Sequence, residues 1–121
     1  MAPVTDQLDA ATDLARRNNN DGIDLVDYKI KHDNPTVLWF KWSHKKNSPD
    51  KFSIYLRRVK TGKYYLARGT EWTVAEQAQI VLNSINIQPG EYQLILTKFP
   101  RHKEVVYAKS NKFYISKSDL S

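Results

Sequence analysis

Residues 36–42 read Thr-Val-Leu-Trp-Phe-Lys-Trp, setting Leu38, Phe40 and Trp42 in alternation with Val37, Trp39 and Lys41. Successive side chains of an extended strand point to opposite faces, so Leu38, Phe40 and Trp42 share one side and Trp39 takes the other. A helix would scatter the same residues around its axis. The stretch is predicted to be a strand with one buried face. Trp42 is expected in the core, where a strand tryptophan is common in β-sandwiches.

The same period recurs along the chain. Residues 23–30 (IDLVDYKI) alternate, and residues 51–59 set Phe52, Ile54 and Leu56 against Ser53, Tyr55 and Arg57. The turn signal KTGK at 60–63 precedes a return strand at 64–68, and QPGE at 88–91 suits a type II turn before a strand at 90–99. A last strand lies within 104–115, broken near Ser110-Asn111. Thr73-Val74-Ala75-Glu76 has the form of a capping box from which residues 74–82 could continue as a helix, but a short helical turn near 73–77 is the most that is expected. The β-branched run that follows predicts a strand at 79–85. Short strands separated by turn signals predict an all-β fold, an antiparallel β-sandwich over residues 23–115 with a flexible tail at 116–121.

Ahead of the strands lies a leader, residues 1–22, with helix-forming composition over 5–17 and a stop at NNNDG. Its Arg16-Arg17 pair is either a favourable helix C-terminus or a dibasic processing site of the kind cut in secretory precursors. Four aspartates against two arginines leave the leader at −2; the chain's net charge is +6, so the strand region carries +8.

Other classes are narrowed by what the sequence lacks. At 121 residues, 40% of them hydrophobic, the chain fits one domain with one core. No apolar run approaches the roughly 18 residues of a membrane span. No signal peptide is visible at the start. The absence of cysteine removes disulfides and thiolate metal sites, and His32, His44 and His102 lack helical metal-ligand spacing. There is no phosphate-cradling glycine loop, no G-x-S-x-G and no obvious carboxylate pair. A non-catalytic protein without a cofactor is expected.

Taken in order, Leu38-Phe40-Trp42, Phe52-Ile54-Leu56, Gly90-Tyr92-Leu94-Leu96 and Ser110-Phe113-Ile115 resemble the fungal Kre/Knh-type domain of the Ser/Thr-rich GPI-anchored cell-wall protein family. The likeness covers roughly residues 25–115. It implies an immunoglobulin- or fibronectin-like sandwich, secretion, and a role at the fungal cell wall or its β-glucan, or as an effector on a host protein. The family brings no catalytic residues. Here no Ser/Thr-rich stalk or hydrophobic anchor signal follows, which favours a short soluble secreted form.

Two candidate surfaces follow. Trp39, if not covered by the leader or a loop, offers a flat ring for stacking on sugars, and Tyr55 and Ile95 face outward on neighbouring strands. Immunoglobulin-like connections would also bring His44, Lys45 and Lys46 to the same end as Arg101, His102 and Lys103. Such an end is either a solvated, solubilising surface or a cap for polyanions, including nucleic acid.

Overall fold

The computed structural model describes residues 22–121; the leader, with Arg16 and Arg17, lies outside the described residues. Eight strands form in chain order. They are β1 (Ile23–Lys31), β2 (Val37–His44), β3 (Lys51–Arg58), β4 (Tyr64–Trp72), β5 (Gln77–Val81), β6 (Gly90–Lys98), β7 (His102–Lys109) and β8 (Phe113–Ile115). They make two antiparallel sheets, one ordered β1-β2-β5 and the other β4-β3-β6-β7. β8 pairs with β6 beyond the point where β7 leaves it.

The alternation in each strand supplies the core. Leu38, Phe40 and Trp42 are buried, as are Phe52, Ile54 and Leu56 of β3 and Tyr92, Leu94 and Leu96 of β6. Each such side chain contributes about 1.5–3 kcal/mol by leaving water. Trp42 packs edge-on against Phe52 at 5.1 Å and lies 5.5 Å from Phe40. Its indole N–H is satisfied inside the core by the carbonyl of Thr73 at 2.7 Å.

The expected break in the last strand is real and has a specific filler. The backbone N of Ser110 donates to the carbonyl of Leu94, while Ser110 Oγ accepts from the N of Leu94 at 2.8 Å. One serine thus replaces a ladder step between β7 and β8. Beside it, Asn111 N donates to Tyr28 Oη at 3.2 Å and the Phe113 ring meets Tyr28 at 5.8 Å, which joins β1 to the other sheet. Across the molecule Arg68 leaves β4, pairs with Glu71 at 2.6 Å and donates to the carbonyl of Gln79 on β5 at 2.7 Å. Both sides of the sandwich are tied.

Four local expectations need correction. The strand expected at 79–85 is β5, which ends at Val81; a 3₁₀ turn, Leu82–Ser84, follows so that Leu82 can be buried. The capping box does not form. Thr73 Oγ1 instead donates to the carbonyl of Pro49 at 2.6 Å, while the short helical turn expected there is present as a 3₁₀ turn, Thr73–Ala75. Gly90 has φ 156° as the first residue of β6, outside the type II turn conformation. Nor is 116–121 a free tail. Ser118–Leu120 forms a 3₁₀ turn whose Asp119 is buried and accepts from Ser116 N at 2.9 Å, and Leu120 packs against the core.

Candidate functional site

The outer face of the three-stranded sheet is set by register. Lys29 of β1, Trp39 of β2 and Gln79 of β5 lie side by side, with Asp27-Lys41-Gln77 one step along and Lys31-Val37-Val81 on the other flank. Cross-strand partners share a face, so Trp39 stands at the centre of a surface about 10 Å across at ordinary strand spacing. It is half-buried between its neighbours, whereas Trp42 is 1% exposed. Its indole N–H donates to Gln77 Oε1 at 3.1 Å, and Lys31 Nζ sits 5.3 Å from the ring centre. Lys29, Lys41, Gln77 and Gln79 are exposed around it. The ring is therefore held in a fixed orientation, with amide groups at its rim and the Lys31 ammonium over it. That combination suits stacking on a sugar while polar groups engage its hydroxyls.

The outer face of the second sheet is different, and corrects the placing of Tyr55 and Ile95. Both do point outward by parity, but they are 8% and 2% exposed. The turn between β6 and β7 doubles back over them. Arg101 N donates to Ser53 Oγ at 2.9 Å, and Tyr55 Oη donates to the Arg101 carbonyl at 3.3 Å. Ser53 Oγ in turn donates to the carbonyl of Gly69 at 2.7 Å, and the Tyr64 ring lies edge-on to Tyr55 at 5.7 Å. Tyr55 is a covered residue with no ligand-facing surface.

The two basic groups come to one end of the sandwich, but their side chains diverge. The 45–50 and 99–101 connections are neighbours because Phe52 pairs with Lys98, and Lys51 Nζ lies 4.3 Å from the Phe99 ring centre. His44 Nδ1 is 2.9 Å from Glu76 Oε2, and Lys45 and Lys46 are exposed. Arg101, at φ 58°, lays its guanidinium over Gly69, where an added Cβ would lie 3.6 Å from it. His102 Nδ1 meets Glu104 Oε1 at 3.2 Å, and Lys103 Nζ lies 5.4 Å from the ring of Tyr64. Arg101 and Lys103 thus run back along the second sheet, away from the end.

Trp72 was not anticipated. It closes β4 at 54% exposure, next to Lys51, whose ammonium lies 5.2 Å from the ring. Among the described residues no group of three or more His, Asp and Glu side chains could hold a metal ion. No helix among them is long and apolar enough to cross a membrane. No family model matches the chain, and searches of curated proteins and of solved structures likewise give no match.

Proposed function

We propose that this chain is a non-catalytic binding domain that holds a wall polysaccharide against the outer face of the β1-β2-β5 sheet. Trp39 is the stacking residue, and Lys29, Lys31, Lys41, Gln77 and Gln79 are its polar rim. The observation that carries the reading is the fixed Trp39 ring, anchored through Gln77 and half-buried at the centre of a strand face lined with exposed polar groups. Secretion, and action at the cell wall or on a host surface, belong to the same proposal and rest on the sequence resemblance. An immunoglobulin- or fibronectin-like assignment is supported by the strand order and by Tyr92, whose hydroxyl reaches back to the carbonyl of Gln88 at 2.6 Å.

Retention on insoluble glucan, chitin and plant wall, run beside a glycan array, tests the reading. The chain should bind at least one of these, and Trp39→Ala should abolish the binding while leaving a cooperative unfolding transition. Binding to no polysaccharide, or binding indifferent to Trp39→Ala, would sink it. A nucleic-acid ligand would instead show affinity falling steeply with added salt, because phosphate contacts release counterions.

A further inference from the structure

A second surface, separate from the Trp39 face, occupies the end of the sandwich where three connections meet. Trp72 and Val74 flank Thr73 there at 54% and 74% exposure, while Thr73 itself is 1% exposed. The pedestal under them is rigid. Thr73 N donates to the carbonyl of Asp50 at 2.9 Å, Thr73 Oγ1 donates to that of Pro49, and the Thr73 carbonyl accepts from the indole of buried Trp42. Two large apolar side chains are thus held out into water by a turn whose own residue is locked into the core.

Cations surround this tip. Lys51 lies between the rings of Trp72 and Phe99, Lys45 and Lys46 are exposed on the adjoining connection, and Lys98 is exposed at the end of β6. The acidic groups nearby are Asp50, Glu76 and Glu71, of which Glu76 faces His44 and Glu71 is neutralised by Arg68. The balance is positive.

We infer that this end docks on an anionic lipid surface, with Trp72 and Val74 entering the headgroup layer and Lys45, Lys46 and Lys98 meeting the headgroup charges. An indole with an adjacent ammonium is the pair that favours the membrane–water interface. Apolar anchors ringed by basic residues bind such surfaces through buried apolar area plus attraction to anionic lipid. A soluble polyanion would engage the lysines but would gain nothing from an exposed valine. Val74 is the residue that separates the two.

Sedimentation with phosphatidylcholine vesicles containing phosphatidylserine, against vesicles of phosphatidylcholine alone, tests the inference on the full chain. Binding is expected only to the anionic vesicles. Both Trp72→Ala combined with Val74→Ser and Lys45→Glu combined with Lys46→Glu should lower it by roughly tenfold or more. Quenching of tryptophan emission by brominated lipid should disappear in Trp72→Phe, a readout that needs no loss of binding. Failure to bind either vesicle would overturn the inference. So would vesicle binding that survives the Trp72 and Val74 changes, because the end would then be a general polyanion site; heparin binding that ignores those changes while tracking the lysines would identify it. Trp39→Ala should leave vesicle binding intact, so the polysaccharide reading and this one fail separately.

Discussion

Trp39 and Trp42 stand three positions apart on β2 and on opposite sides of it, each with its indole N–H satisfied: Trp42 by the Thr73 carbonyl at 2.7 Å, Trp39 by Gln77 Oε1 at 3.1 Å. One bond is sealed in the core and the other lies in reach of water. Trp42→Ala should cost about 3–5 kcal/mol, because it opens a cavity between Phe40 and Phe52. Trp39→Ala should cost only about 1 kcal/mol, since the ring leaves no enclosed void. Urea unfolding of the two variants checks the split; equal losses would return Trp39 to the core.

Burial pushes the Tyr92 hydroxyl above the ordinary tyrosine value of 10.0, with Arg58 opposing the shift. The folded chain thus keeps this proton where the unfolded chain would release it. The sign follows: the contribution is complete below pH 10 and is lost as pH rises through the higher folded value. Tyr92→Phe should lose about 1 kcal/mol at neutral pH, with the bond to Gln88. Its deficit against the parent should then shrink in alkali. Unfolding curves at neutral pH and above pH 10 would show this.

Ser110→Ala removes the acceptor for Leu94 N in the gap between β7 and β8. Leu94 is fully buried, so its amide would find no water. A loss of about 1–3 kcal/mol is expected. Hydrogen exchange should quicken first at the Leu94 amide.

Asp119→Ala should also destabilise by about 1–3 kcal/mol, since Ser116 N loses its acceptor and His32 loses the carboxylate 2.9 Å from its ring. A variant as stable as the parent would show that the C-terminal turn is only a passenger. Thermal unfolding decides it.

Alternation made most strands legible, because one buried face leaves a period of two whatever the connections do. It specifies which side a residue points to, and is silent on what lies over that side. Tyr55 lies on the outer face that parity gives it, yet the β6–β7 turn covers it. Trp72 escaped notice because Gly69 reads as a strand end. In fact β4 runs through it, with a bulge where Phe52 pairs with Glu71 and Ile54 with Arg68, and the Arg101 guanidinium packs close above. The polar ending hid a signal that was present: Ser116 and Asp119 bond reciprocally, the Ser-x-x-Asp spacing of a capped turn.

Arg68 has a consequence for how copies of this chain meet one another. β5 is the outermost strand of its sheet, and an outermost strand offers bare carbonyls to any passing chain as a template for fibre growth. The guanidinium already occupies the Gln79 carbonyl in the middle of that strand, with Glu71 holding it there. A second molecule seeking to extend the sheet would have to displace an ion pair first. Removing this one side chain would free the Gln79 carbonyl at the rim of the sheet.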